Sequence, residues 1–163
     1  MAENWTGLAY APVFRVRGNG NVYANLFDTP AVDLAEWMPT DGSVLDPGTV
    51  VVLRGGLVTA SDRYRAAGVV GVVTTAPGLV LGSKDDHTGE VCVARTGMVP
   101  VKFSTEFGGV DGNGEVLCSG PNGHCVRAPQ FPEPGTIVGK AMGTMHRAPD
   151  GSITTGVIMA VVG

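Results

Sequence analysis

Charge is what this sequence has least of. Asp, Glu, Lys and Arg make up 16% of its 163 residues, against about 25% in ordinary soluble domains. A chain so poor in charge either exposes little surface or hides part of it against further copies. Basic residues are the scarcer sign, 11 against 15 acidic, for a net charge of −4. That excludes the basic face a nucleic-acid partner needs. Aromatics are 6% of the chain and cysteines number three. No long hydrophobic run exists either. The longest, "AAGVVGVVTTAPGLVLG" (66–82), is cut by Gly, Thr and Pro and is too short for a bilayer. Membrane insertion is therefore not expected. The opening "MAENWTGLAYAP" has no basic start followed by an apolar stretch, so no signal peptide is read there.

Catalytic signatures are also missing. There is no Gly-x-Ser-x-Gly elbow and no phosphate-binding Gly-rich loop ahead of a helix. Ser43, Ser61, Ser83, Ser104, Ser119 and Ser152, and His87, His124 and His146, all stand in turn-like or polar contexts. "GGVDGNG" (108–114) has Asp111 and Asn113 at calcium-loop positions but lacks the downstream glutamate and the flanking helices. No cofactor and no metal are expected.

What is present is turn chemistry between Val-rich runs. There are 25 Gly and 11 Pro, dispersed and without a triplet period, in a chain that is 44% apolar. This is the composition of a mainly β protein. The length suits one domain with a small appendage. Residues 13–24, "VFRVRGNGNVYA", form a hairpin in which "GNGN" supplies positive-φ positions. "DPGTVV" (46–51) recurs as "EPGTIV" (133–138), each a turn feeding a strand. "VVGVVTT" (69–75) is apolar on both parities, as in a strand buried on both faces. Residues 79–103 read as strand, polar loop, strand, turn and strand. Residues 108–129 read as a hairpin with "SGPNGH" at its tip, and 153–163 as a final docked strand. Residues 30–38, "PAVDLAEWM", are the best helical stretch, bounded by Pro30 and Pro39. The expectation is a compact barrel- or sandwich-like domain of about ten short strands, with one or two helical turns. Residues 1–28 would be an N-terminal segment with its hairpin, and 29–163 the compact domain.

Two residue sets carry the candidate chemistry. Asp33 and Glu36 are three apart, so on a helix both carboxylates share a face. One reading is a carboxylate pair acting on a peptide bond. The favoured one is a helix N-terminus bearing acids that suit its dipole, with Leu34 and Trp37 buried. Cys118 and Cys125 flank the hairpin tip, where a disulfide needs them face to face. Free thiols, or zinc shared with Cys92, His124 and His87, are the alternatives, although the spacing is not that of a zinc site.

Taken in order, "FRVRGNGNVYA", "VDLAEWMP", "DPGTVVVL", "AAGVVGVVTTAPGLVLG", "GMVPVKFSTEFG", "GEVLCSGPNGHCVRAP" and "PGTIVGKAM" resemble the C-terminal β domains of bacterial surface proteins and phage tail or neck fibres. The likeness extends to the self-cleaving intramolecular chaperone domains of phage neck appendages. That resemblance implies a homotrimer joined to an upstream shaft through 13–24, on a cell surface, outside the cell or on a virion. It implies a non-enzymatic trimerisation and capping role. Self-cleavage through Asp33 and Glu36 is one alternative. This sequence departs from that pattern by having no serine beside the motif and no long heptad helix. A ligand-binding fibre tip, using loops 83–90 and 119–125, is the other alternative.

Overall fold

The computed structural model describes residues 31–82 and 86–163 throughout, and before them the backbone of 2–5, 10–16, 18–19 and 22–24. The chain divides into two compact units, Met1–Pro30 and Ala31–Gly163. The first is a three-stranded antiparallel sheet of β1 (Ala2–Trp5), β2 (Tyr10–Val16) and β3 (Val22–Ala24). Its second hairpin pairs Val16 with Val22, as the "GNGN" turn dictates.

The second unit carries β4 (Asp33–Pro39), β5 (Val50–Arg54), β6 (Leu57–Ala60), β7 (Val69–Val73), β8 (Leu79–Leu81) and β9 (Glu90–Ser104). It continues with β10 (Val110–Asp111), β11 (Val116–Ser119), β12 (Cys125–Arg127), β13 (Ile137–Ala141), β14 (Thr144–Met145) and β15 (Thr155–Val162). Among the described residues, single 3-10 turns, Thr105–Phe107 and Pro121–Gly123, are its helical content. The mainly β, barrel-like expectation is met.

β9 organises the unit. Along its second half it pairs antiparallel with β15, and the sheet continues through β13, β11 and β12. β12 then returns to β9 in parallel, Cys125 to Phe103, which closes a five-stranded barrel. Its interior holds Val99, Val101, Phe103, Leu117, Val138, Ile158, Ala160 and Val162, all buried. Along its first half β9 pairs with β7 on one side and β4 on the other. β7 continues to β5 and β6, and a single parallel bridge, Thr40 to Val58, brings β6 back beside β4. This second ring encloses Val51, Val58, Val73 and Val93. Val50, Val72 and Ala94 face the barrel core instead. The both-parity valines of β5 and β7 are therefore buried on both faces, as the sequence pattern predicts.

The two Pro-Gly motifs fold identically. Thr49 N donates to Asp46 O and Thr136 N to Glu133 O, both at 3.2 Å, with Gly48 and Gly135 each at φ +81°. Glycine carries the left-handed third position of a type II turn in both.

Two expectations are corrected. Residues 33–39 are strand β4, not a helix. They lie hydrogen-bonded between β8 and β9, and that pairing overrides the local helical pattern. Residues 90–104 form one continuous strand without the turn expected between the last two strands of 79–103. A register shift opposite Leu34 and Ala35 absorbs the extra residue as a bulge.

Candidate functional site: a bare apolar sheet face

The strand conformation of β4 separates the two acids. Residues three apart in a strand point to opposite faces. Asp33 is 6% exposed. Glu36 lies on the other face, half-exposed, with Arg95 Nε at 3.9 Å. Asp33 Oδ1 accepts a hydrogen bond from Gly78 N at 3.0 Å, and the same N–H reaches Asp33 O at 3.0 Å. Its Oδ2 is buried without a partner. Trp37 stacks on His87 with centroids 3.8 Å apart, and His87 Nδ1 lies 2.9 Å from Glu90 Oε2.

The cysteines do not face one another. Opposite residues in an antiparallel ladder share a face. Cys118 is opposite Val126, and Cys125 is opposite Ser119. The two thiols thus point to opposite sides of the β11–β12 hairpin, and all three cysteines are free and buried. A disulfide between Cys118 and Cys125 is replaced by two separate thiols. Burial pushes the Cys118 thiol up to about 11 and raises Cys125 further, while Cys92 is raised by burial and then by the charge of Asp33. Among the described residues no group of three or more His, Cys, Asp and Glu gathers as a metal site.

Two outcomes follow from these thiols. In native protein at neutral pH no cysteine reacts with a thiol reagent, all three react after denaturation, and reductant leaves Tm unchanged. Above pH 9 the unfolded Cys118 thiol ionises while the folded one keeps its proton up to about 11. Its contribution is complete below the unfolded pKa, so stability falls as pH rises through this window. A Tm-against-pH series in which Cys118→Ala has the same alkaline slope as the wild type would overturn the assignment.

The remaining loops are built structurally. Ser61 Oγ donates to Gly120 O at 2.6 Å, Ser119 Oγ donates to Ala66 O at 2.8 Å, and Gly123 N donates to Ser61 O at 2.8 Å. Two donors of 119–125, Ser119 Oγ and Gly123 N, and the Ser61 hydroxyl thus hold the hairpin tip to the loop after β6. In the other polar loop, residues 83–85 lie outside the described residues. In the calcium-like loop the Glu115 carboxylate takes the N–H groups of Asp111 and Asn113, at 2.8 and 2.9 Å. Those bonds hold its carboxyl below the usual range.

The least conventional surface lies on the outer side of β9 and β15. The register sets Met98 opposite Val161, Pro100 opposite Met159, and Lys102 opposite Val157. Met98, Val157, Met159 and Val161 are 38–59% exposed, and Pro100 is exposed with them. The alternate residues, Val99, Val101, Ile158 and Ala160, fill the barrel. Lys102 ends the patch, its Nζ held by Thr49 Oγ1 at 2.9 Å and Asp46 Oδ2 at 3.3 Å. A contiguous apolar sheet face is unusual on a soluble surface and marks a place of contact. The signal was in the sequence: "VIMAVV" is apolar at every position, yet a barrel strand needs only every second one.

No family model matches this sequence, and no curated protein matches it. Two solved structures share its fold. One is the crystal structure of pre-mature bacteriophage phi29 gene product 12, with TM-score 0.62 and 16% identity over 89% of this chain and 24% of that one. The other is the C-terminal fragment of the same bacteriophage phi29 protein, with TM-score 0.56 and 15% identity over 80% of this chain and 100% of that one. The chain spans 24% of the longer protein. At these identities the likeness is one of fold.

Proposed function

We propose that this chain is a structural self-association module, the trimerisation and capping domain of a virion-associated fibre. The bare face of Met98, Pro100, Val157, Met159 and Val161 carries the reading. Apolar side chains held in register on rigid strands gain by leaving water, at about 25 cal/mol per Å². Copies of one chain meeting through such a face form a closed symmetric assembly. The scarcity of charge supports the same reading, as does the fold shared with a bacteriophage C-terminal fragment. In this reading residues 1–28 join the domain to an upstream shaft, and the assembly covers strand edges that would otherwise recruit foreign chains.

Native mass spectrometry tests it. The wild type is expected as a trimer of intact chains. Met159→Lys, at a 43% exposed position, is expected to remain folded and run as a monomer. A wild type that is monomeric at micromolar concentration would remove the proposal.

Self-cleavage is the second reading. One observation favours it: the unpartnered Asp33 oxygen, three residues past the Pro30–Ala31 boundary. A denatured mass spectrum with a cut between residues 28 and 40 would establish it, and an intact mass after long incubation would exclude it.

A further inference from the structure

The bare face is rich in sulfur. The chain has six methionines. Met1 lies outside the described residues, and three of the other five stand on this face: Met98, Met142 and Met159, 38%, 47% and 43% exposed. Met98 is opposite Val161 and Met159 is opposite Pro100, so the two are diagonal neighbours on one side of the β9–β15 ladder. On the other flank Lys140 is opposite Val161 and Ala141 is opposite Ala160. The next N–H, that of Met142, donates to Met159 O at 2.9 Å, which sets Met142 beside Met159.

The two remaining methionines are placed differently. Met38 is half-buried against the second ring, and its sulfur accepts a hydrogen bond from Arg95 Nη1 at 3.7 Å. Met145 is half-buried against the barrel core and lies over Gly156. A thioether is apolar and adaptable, which suits burial between two copies. Unlike a leucine of similar size, it can be oxidised, and the product is a polar sulfoxide.

We propose that Met98, Met142 and Met159 form a peroxide-sensitive modification site whose sulfoxidation keeps a chain out of the assembly. The inference rests on the self-association reading above. In the reaction a sulfur lone pair attacks one oxygen of hydrogen peroxide. An S–O bond forms and the O–O bond breaks. The sulfur gives up two electrons, and the second peroxide oxygen takes them and leaves, with both protons, as water. Each sulfoxide then sets a strong acceptor on a face where Pro100, Val157 and Val161 offer no side-chain donor. Burying that acceptor unpaired between copies is costly. A free chain presents all three sulfurs to solvent and an assembled one hides them, so the reaction selects chains that have not yet assembled. Methionine sulfoxide reductases return the thioether, which makes the block reversible.

Two folded proteins test this, the wild type and a chain carrying Met98→Leu, Met142→Leu and Met159→Leu, whose face is apolar without sulfur. Each is incubated with hydrogen peroxide at the lowest concentration that native mass spectrometry reads, and is then concentrated. Peptide mass mapping locates the added oxygen, native mass spectrometry reads the oligomer, and far-UV circular dichroism checks the fold. The wild type is expected to gain oxygen at Met98, Met142 and Met159 before Met38 and Met145, and to keep its β spectrum. Its assembly midpoint is expected to rise by about tenfold or more in concentration, the effect of desolvating unpaired acceptors. Reductase treatment is expected to restore the midpoint. The leucine chain is expected to show the same midpoint before and after peroxide. Should that chain not assemble, reversal by the reductase decides the matter.

Four results would overturn the proposal and leave the trimer reading standing. They are facial sulfurs that stay unmodified, a trimer that survives their full oxidation, a loss that the leucine chain shares, and a loss through unfolding that the reductase does not reverse. An untreated wild type that is monomeric at micromolar concentration removes the trimer reading and this proposal with it.

Discussion

Gly97→Ala is expected to cost more than about 4 kcal/mol, a loss that only a named steric mechanism produces. A Cβ at this position would lie 2.2 Å from Val32 O, 2.6 Å from Asp33 Cα and 3.0 Å from Val32 C. All three are backbone atoms, so no side chain can swing away. The glycine also holds φ +113°, outside the range of ordinary L-residues. It is the residue at which β9 passes from β4 to β15, opposite both Asp33 and Val162. Relief therefore requires β4 to leave β9, which opens the second ring. Gly42→Ala is the control. Its φ is +89°, but nothing lies within 4 Å of the added carbon, so only the backbone cost of about 1–2 kcal/mol applies. Guanidinium denaturation midpoints measure both. Equal midpoints for the two variants would show that the close approach of β4 to Gly97 does not exist in solution.

Phe103→Ala ranks next, with an expected loss of about 3–5 kcal/mol. Phe103 is 0% exposed and lies where the barrel closes, opposite Gly156 on β15 and Cys125 on β12. Removing the ring leaves a cavity among strands that cannot collapse without breaking the closing ladder. Phe131→Ala removes the same side chain from an 82% exposed loop position and is expected within about 0.5 kcal/mol of wild type. A Phe103→Ala protein as stable as Phe131→Ala would contradict the closed barrel.

The self-association reading depends on β9 being a single strand. Its first half presents Asp33 through β4, and its second half presents Met98 and Pro100 beside the bare stripe of β15. A turn within β9 would place these on separate hairpins. The bulge opposite Leu34 and Ala35 and the conformational freedom of Gly97 keep the strand continuous while changing its neighbours.

Local chemistry alone was enough for several elements. "DPGT" and "EPGT" dictate type II turns because only glycine sits comfortably at their third position. "GNGN" dictates a hairpin. The both-parity valines of "VVGVV" dictate a strand covered on two sides, and dispersed Gly and Pro dictate a β architecture. The placement of Asp33 and Glu36 was not legible, because a seven-residue stretch with alternating and helical spacing takes its conformation from the strands on either side. The faces of Cys118 and Cys125 were equally hidden, since one residue of register reverses every side chain in a hairpin. Both parities of "VIMAVV" are apolar, and the sequence does not say which one fills the barrel. Tertiary structure decides it: closure of β12 onto β9 turns Ile158, Ala160 and Val162 inward and leaves Val157, Met159 and Val161 bare, because a closed barrel has room inside for only one face of each strand.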